Sequence, residues 1–283
     1  MANFTNYATL SYNGTTIRSN TVTGELTQTV SAAKTAVRDR YGRGERISYI
    51  ISLTNSGTAA LEGLTVSDDL GGYSYEGGTL YPLSYEDGTI RYYVNGVLQT
   101  APQVTAGPPL VISGIRVPAG GSAVLIYEAQ MTAFAPPASG GAITNTATIT
   151  GEPLGTPITA EETVQAEERA DLSISKALCP VTVTENGALT YTFVIENYGN
   201  TAEEATDNAV LSDTFDPVLR GITVRFNGTA WSAGTNYRYD ETTGVFSTLP
   251  GQIAVPAASY TQNPDGSWLI TPGTATLEIS GTV

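Results

Sequence analysis

The segments Arg46-Ile-Ser-Tyr-Ile-Ile-Ser-Leu-Thr-Asn-Ser-Gly57 and Leu64-Thr-Val-Ser-Asp-Asp-Leu70 occur one after the other, and both recur later in the chain. The second copies are Leu189-Thr-Tyr-Thr-Phe-Val-Ile-Glu-Asn-Tyr-Gly199 and Val210-Leu-Ser-Asp-Thr-Phe215. Each copy predicts a strand, an Asn-x-Gly turn and a second strand. The chain is therefore predicted to contain two tandem repeats of one strand-rich domain.

Composition supports an all-β fold. The 283 residues include 30 glycines and 15 prolines, which are scattered as expected for many short strands joined by tight turns. No long segment has apolar residues at helical spacing. Hairpin turns are expected at Asp87-Gly88, Asn95-Gly96 and Asn227-Gly228. The length suits two immunoglobulin-like β-sandwich domains.

A second internal similarity is out of phase with the first. Phe4-Thr-Asn-Tyr-Ala-Thr-Leu10 resembles Ile143-Thr-Asn-Thr-Ala-Thr-Ile149, and each is followed by a hairpin and a lysine-bearing strand. Residues 1–25 therefore read as the closing hairpin of another domain. Residues 26–165 read as a complete sandwich, and 166–283 as a sandwich that lacks its closing hairpin.

Charge and residue usage exclude several classes of function. The net charge of −14 opposes binding to nucleic acid, because the phosphate backbone is also negative. The chain has no histidine, and its one cysteine, Cys179, cannot form an intrachain disulfide. Asp207, Asp213 and Asp216 lack the spacing of an EF-hand calcium loop, so they are interpreted as a solvated acidic loop. No cofactor, metal or membrane insertion is predicted.

Strand alternation turns several polar side chains toward the apolar face. In the first repeat these are Lys34 and Asp68, and in the second repeat they are Lys176 and Asp213. Asn145 lies on the apolar face of Ile143–Ile149, and Asn6 on the corresponding face with Phe4, Ala8 and Leu10. Burying isolated charges is costly, so these residues need a common explanation. Asp69 and Cys179 are expected to face outward.

The repeated segments quoted above, together with Val117-Pro-Ala-Gly-Gly121, resemble the conserved-repeat domain of bacterial surface proteins, known as domain of unknown function 11. They are also similar to the isopeptide-forming domains of Gram-positive fimbrial proteins. The resemblance covers nearly the whole chain. It implies an immunoglobulin-like fold and a role in a stalk or fibre, and it implies no substrate.

The resemblance also implies a chemical role for the buried residues. A neutral lysine amine attacks the side-chain carbonyl of an asparagine, a nearby carboxylic acid assists, and ammonia leaves. It assigns Lys34, Asp68 and Asn145 to this reaction in the first domain. In the second domain it assigns Lys176 and Asp213, with no asparagine in the expected place. The alternative is a buried Lys–Asp salt bridge, with the asparagine capping a strand end.

The leading functional prediction is a structural subunit of a self-assembling extracellular filament on a cell or spore surface. Phe4, Asn6, Ala8 and Leu10 would enter the second domain of a neighbouring copy, so the chain polymerises head to tail. Asn6 would then lie near Lys176 and Asp213. The alternative is a monomeric stalk or adhesin module of a larger surface protein. A carbohydrate-binding module and a hydrolase are weaker alternatives. No enzymatic activity is expected beyond autocatalytic isopeptide formation, and no glycan or host receptor is supported.

Overall fold

The computed structural model describes residues 2–26, 29–152 and 154–283. Its first segment is a long hairpin whose four strands are β1 (Ala2–Asn6), β2 (Thr9–Tyr12), β3 (Thr15–Arg18) and β4 (Val22–Leu26). Strand β1 pairs with β4, and β2 pairs with β3 around a two-residue turn at Asn13-Gly14. Both turn residues have positive φ, as a type I′ turn requires. Tyr7 and Ala8 interrupt the strand between β1 and β2.

The first repeat forms fourteen strands in the described residues. They are β5 (Val30–Ala36), β6 (Arg40–Tyr41), β7 (Arg46–Asn55), β8 (Leu61–Asp68), β9 (Tyr73–Tyr75), β10 (Gly78–Leu80), β11 (Leu83–Tyr85), β12 (Arg91–Val94), β13 (Val97–Leu98), β14 (Gln103–Thr105), β15 (Leu110–Val117), β16 (Ser122–Met131), β17 (Ala142–Thr150) and β18 (Ile158–Ala166).

Two six-stranded sheets enclose the first core. One sheet has the order β13-β12-β16-β7-β5, with β11 also paired to β16. The other has the order β14-β15-β8-β17-β18-β6. Alternate side chains of both sheets point into the space between them, including Tyr49 and Leu125 from the first sheet and Leu64 and Ile112 from the second. The predicted sandwich is confirmed here, with its core within residues 30–166.

The second repeat contains ten strands and one short 3₁₀ helix in the described residues. The strands are β19 (Leu172–Cys179), β20 (Ala188–Asn197), β21 (Ser212–Thr214), β22 (Arg220–Phe226), β23 (Thr229–Trp231), β24 (Tyr237–Asp240), β25 (Val245–Thr248), β26 (Ser259–Gln262), β27 (Trp268–Thr271) and β28 (Gly273–Thr282), and the helix is Ala205–Asp207. The predicted all-β class is confirmed. The domain boundaries at 25 and 165 stay a prediction.

The sheets of the second repeat are smaller. A five-stranded sheet, β19-β20-β28-β22-β23, faces a three-stranded sheet, β21-β25-β24, and β26 and β27 form a separate hairpin. Their core lies within residues 189–279 and includes Phe193, Phe215, Phe246 and Leu277. In the first repeat β8 pairs with both β15 and β17. The matching strand β21 pairs only with β25 in the described part of the chain, so its other edge is open.

The repeated Asn-x-Gly turns have the same structure in both halves. Asn55 is buried, and its side chain accepts a hydrogen bond from the Gly57 nitrogen and donates one to the Ala59 carbonyl. Asn197 is also buried and bonds to the Gly199 nitrogen and the Thr201 carbonyl in the same way. An asparagine that bonds to the backbone two residues ahead stabilises such a turn. The sequence repeat therefore encodes one local structure twice.

Two of the three predicted hairpin turns form as expected. Asn95-Gly96 joins β12 to β13, and Asn227-Gly228 joins β22 to β23. The hairpin predicted at Asp87-Gly88 is wrong. A turn forms there, but the flanking strands β11 and β12 each pair with β16 and not with each other. The long strand β16 offers more hydrogen-bonding positions than either short strand offers the other.

Contacts between the two repeats are made largely by the β26–β27 hairpin. The Tyr75 hydroxyl donates to the Asn263 carbonyl at 2.8 Å, and the Gln262 side chain donates to the Tyr73 hydroxyl at 3.2 Å. The Trp268 nitrogen donates to the Ala133 carbonyl at 3.1 Å. These bonds join the second repeat to β9 and to the loop that follows β16 in the first.

Candidate functional site

Three polar side chains meet in the first core. Lys34 on β5 belongs to one sheet, and Asp68 on β8 and Asn145 on β17 belong to the other. All three are buried, with Asp68 and Asn145 fully excluded from solvent. The Lys34 Nζ lies 2.6 Å from Asp68 Oδ2, so this ion pair crosses the space between the sheets. Polar groups in such a place need partners, because water cannot solvate them.

Tyr127 on β16 connects the acid to the amide. Its hydroxyl donates to Asp68 Oδ2 at 2.5 Å and accepts from Asn145 Nδ2 at 3.2 Å. The second oxygen of Asp68, Oδ1, accepts from the Leu70 nitrogen at 3.0 Å. Tyr49 stacks on Tyr127 with ring centroids 5.7 Å apart. The carboxylate is therefore held by a cation, a hydroxyl and a backbone N–H.

Burial controls the protonation of this cluster. Burial lowers the pKa of Lys34, while the negative charge of Asp68 acts in the opposite sense. Burial also raises the pKa of Tyr127 well above its ordinary value, and Asp68 acts in the same direction, so its hydroxyl stays neutral. Asn145 Oδ1 and the Tyr49 hydroxyl are buried and have no hydrogen-bond partner among the described residues. An unpaired buried carbonyl oxygen is uncommon and costs stability.

This arrangement brings together the groups for amide exchange. Lys34 supplies an amine, Asn145 supplies a carboxamide, and Asp68 supplies an acid–base group in a dry core. Asp69, which was expected to face outward, is half-buried and has a different role. Its Oδ1 accepts from the backbone nitrogens of Gly71 and Thr146, both at 2.9 Å, so it ties a turn to β17.

The second repeat contains the corresponding ion pair in a different environment. Lys176 Nζ lies 2.5 Å from Asp213 Oδ2, and the ammonium lies over the rings of Tyr191 and Phe215 at 4.3 and 5.5 Å. Lys176 was expected to point into the core, and this is wrong for the chain by itself. Its side chain is 40% exposed, because no described strand pairs with the second edge of β21 to cover it.

The apolar face of β19 is uncovered for the same reason. Leu172 is 41% exposed and Ile174 is 58% exposed, and both alternate onto the same face of β19 as Lys176. Val210, just before β21, is also exposed. An exposed apolar strand face beside an open sheet edge is a typical binding surface for another strand. We call Leu172–Cys179 together with Val210–Thr214 the open edge.

The N-terminal hairpin exposes apolar side chains, while the open edge lacks a strand to cover it. Its apolar side chains have no core to enter, and Leu10 is 60% exposed, with Tyr12 and Ile17 also exposed. Within the described residues, each hydrogen bond of residues 2–26 joins two members of that segment. Asn6 and Ala8 are exposed as well, and the side chain of Phe4 lies outside the described residues.

The remaining candidates take ordinary structural positions. Cys179 is a free, exposed thiol, as expected. Asp207 accepts a hydrogen bond from the Glu204 nitrogen at the short 3₁₀ helix. The described residues contain no group of three acidic, cysteine or histidine side chains that could hold a metal ion. In the described part of the chain, no helix is long and apolar enough to cross a membrane.

Sequence reasoning missed Tyr127 and Tyr49. Both tyrosines alternate with apolar residues on long strands, so they read as ordinary core aromatic residues. Their pairing across β7 and β16 comes from sheet register, which the sequence does not state. The one available signal was the buried acid Asp68, since an acid in a core requires hydrogen-bond donors.

Comparisons with known proteins give structural likenesses only. No protein-family model and no curated protein matches the sequence. Among solved structures, the major pilin subunit of Bacillus cereus is 14% identical, covers 98% of this chain and 74% of its own, and has a TM-score of 0.36. The pilus backbone of Streptococcus pneumoniae is 10% identical, covers 83% of this chain and 52% of its own, and has a TM-score of 0.35.

A third solved structure is the collagen-binding domain of a Staphylococcus aureus adhesin. It is 10% identical, covers 50% of this chain and 99% of its own, and has a TM-score of 0.32. The structures that resemble this chain therefore include pilin subunits and an adhesin domain. TM-scores this low carry no inference about function.

Proposed function

We propose that this chain is a structural subunit of an extracellular filament, and that the N-terminal hairpin of one subunit closes the second sandwich of the next. The observation that supports this is the pair of matching deficiencies. The hairpin exposes apolar side chains with no core, and the open edge exposes an apolar face with no strand. Joining them buries both surfaces and pairs the free edge of β21.

The first sandwich supplies a template for this joint. There, β17 lies beside β8 with Ala147 opposite Asp68 and Ile149 opposite Val66. The sequence similarity between Phe4–Leu10 and Ile143–Ile149 then puts Ala8 opposite Asp213. It also puts Leu10 opposite Leu211, which corresponds to Val66. The interruption at Tyr7 and Ala8 has to straighten for the strand to fit in this way.

The proposal includes an isopeptide bond within the first sandwich. The buried trio of Lys34, Asp68 and Asn145 supports it through its 2.6 Å amine-to-acid contact and the hydrogen bond from the amide to Tyr127. The bond would tie the two sheets together covalently. The template also brings Asn6 to the place of Asn145, near Lys176 and Asp213, so the joint between subunits contains the same reactive types.

The surface chemistry supports self-association over other partners. The net charge of −14 opposes binding to nucleic acid. Lys176 and Asp213 supply opposite charges at the joint, and the apolar face of β19 supplies the area to bury. We propose an extracellular location, no enzymatic activity toward an external substrate and no cofactor.

Electron microscopy and analytical ultracentrifugation of the purified chain test the proposal. Filaments, or a ladder of head-to-tail oligomers, are expected at high protein concentration. Deletion of residues 2–24 should leave a species that does not polymerise. A synthetic peptide of residues 2–26 should bind to that deleted chain in a 1:1 complex. Polymers that form unchanged after the deletion would refute the proposed joint.

A second candidate is a repeat module within a longer surface stalk or adhesin. One observation favours it. The first sandwich is closed by β17 and β18 of the same chain, so closure by a following segment already occurs here once. This candidate predicts a monomer at all accessible concentrations, with the open edge filled by the adjoining repeat. Sedimentation of the chain separates the two candidates.

A further inference from the structure

The proposed cross-link in the first sandwich requires one proton to move between two nitrogens. The amine of Lys34 attacks Cγ of Asn145, a C–N bond forms, the Cγ–Nδ2 bond breaks, and ammonia leaves. Counted from the ion pair, Nζ loses two protons, of which one reaches Nδ2 and the other stays on Asp68. Both nitrogens are buried in the core, so protein groups offer the proton its nearest path.

Among the described residues, one hydrogen-bonded path connects these nitrogens. Lys34 Nζ lies 2.6 Å from Asp68 Oδ2, and Asp68 Oδ2 lies 2.5 Å from the Tyr127 hydroxyl. The Tyr127 hydroxyl lies 3.2 Å from Asn145 Nδ2, which is the atom that leaves. In the described residues, the side chain of Asp68 makes no hydrogen bond directly to Asn145, so Tyr127 is the link between them.

We propose that Tyr127 relays the proton from Asp68 to the leaving nitrogen of Asn145. The inference rests on the cross-link proposed above. Asp68 takes the ammonium proton of Lys34, which leaves a neutral amine beside a neutral acid, and the two hydrogen bonds of Tyr127 then reverse direction. Tyr127 receives the proton of Asp68 and gives its own to Nδ2, so its hydroxyl is unchanged when ammonia has left.

The environment of Tyr127 suits this role. The residue is fully buried on the central strand β16, and its ring is held against Tyr49 and Tyr85. A hydroxyl can pass a proton without becoming charged, and burial keeps the pKa of Tyr127 well above its ordinary value. The hydroxyl is therefore held in position as a neutral group that both donates and accepts.

The second sandwich gives a natural contrast. Tyr127 lies opposite Tyr49 in the register of β16 and β7. At the corresponding place in the register of β28 and β20, Ile279 lies opposite Tyr191. The ion pair of the second sandwich therefore lacks the matching hydroxyl. We expect the first sandwich to form its bond faster than the joint between subunits does.

Tyr127→Phe tests the relay, and Tyr49→Phe is the matched control. Each substitution removes one buried hydroxyl from the same stacked pair, but of the two only the hydroxyl of Tyr127 is hydrogen-bonded to Asp68. The full chain is made by cell-free translation, stopped with acid at intervals and analysed by intact mass. Formation of the bond lowers the mass by one ammonia. Tyr127→Phe is expected to slow this loss by about 10²–10⁴-fold, the usual range for a proton-transfer group.

The outcomes separate the relay from the cross-link. Equal rates for the two variants, with a normal loss in the wild-type chain, would overturn the relay alone. No loss of ammonia in the folded wild-type chain would overturn the cross-link, and the relay with it. Filament formation in the same samples is a separate measurement of the proposed assembly.

Two further measurements exclude a purely structural effect. Both variants are also made with Asn145→Ala, where no bond forms, and their melting temperatures are compared. A rate difference between the variants that far exceeds the difference in stability supports the relay. The wild-type rate is also measured in heavy water and is expected to fall, since a proton moves in the slow step. An unchanged rate would contradict the relay.

Discussion

Leu10→Asp gives a quantitative test of the proposed joint. Leu10 is 60% exposed in the isolated chain and would be covered by the open edge of the next subunit. Full burial of a leucine contributes about 1.5–3 kcal/mol, so covering the exposed part contributes about 1–2 kcal/mol. An aspartate there loses this gain and brings a carboxylate into an apolar site near Asp213, which costs several kcal/mol more before relaxation.

A total loss of at least about 3 kcal/mol weakens the joint by about 100-fold or more, at 1.4 kcal/mol for each factor of ten. The critical concentration for polymerisation should rise by the same factor, because it follows the dissociation constant of the joint. The assay is sedimentation of the polymer over a dilution series, with the unsedimented protein measured at each concentration.

Leu98→Asp is the matched control. Leu98 is 56% exposed on β13, at an edge of the first sandwich that the proposed joint does not use. It makes the same chemical change and should leave the critical concentration within about 2-fold of the wild type, as for an exposed site outside any interface. Equal effects of the two substitutions would refute the proposed joint and point to a general effect of charge.

Three other predictions concern the lysines. Asp68→Ala should abolish the loss of ammonia at the Lys34–Asn145 pair, which intact mass measures. It should also lower the free energy of unfolding by about 3–5 kcal/mol, because it leaves a buried cation unpaired, and calorimetry measures this change. In Asn145→Ala, Lys34 stays uncross-linked, and burial lowers its pKa below the value of 10.5 that it has in the unfolded chain. Between these two pKa values the unfolded chain binds more protons than the folded chain, so the free energy of unfolding should rise with pH until about 10.5. A flat urea-denaturation profile across that range would contradict it. Asn6→Ala should permit assembly but remove any oligomers that survive boiling in detergent, if Asn6 bonds to Lys176; survival of the ladder would exclude that bond.

Local chemistry explains which features the sequence could predict. Asn13-Gly14, Asn95-Gly96 and Asn227-Gly228 adopt positive φ at both positions, which asparagine and glycine tolerate better than other residues. These turns need no information from the rest of the chain. The burial of Lys34 and Asp68 followed from period-2 alternation with apolar neighbours, which also depends only on nearby residues.

The same rule failed at Lys176, Leu172 and Ile174. Alternation states which side chains share a face, but it cannot state whether another strand covers that face. The first sandwich covers Lys34 because β17 and β18 extend the opposite sheet beyond β8. In the second sandwich that extension is lacking in the described residues, so an equivalent strand pattern leaves its side chains in water.

The sequence alone therefore determined the repeat, the strand class, the turns and the residue types that share each face, because all of these depend on short-range patterns along the chain. Only the tertiary structure decided that β5, β8, β16 and β17 converge, and hence that Tyr127 joins Asp68 to Asn145. That contact depends on the register of strands from two sheets and on the distance across a packed core. These are long-range quantities, and no spacing in the sequence encodes them directly.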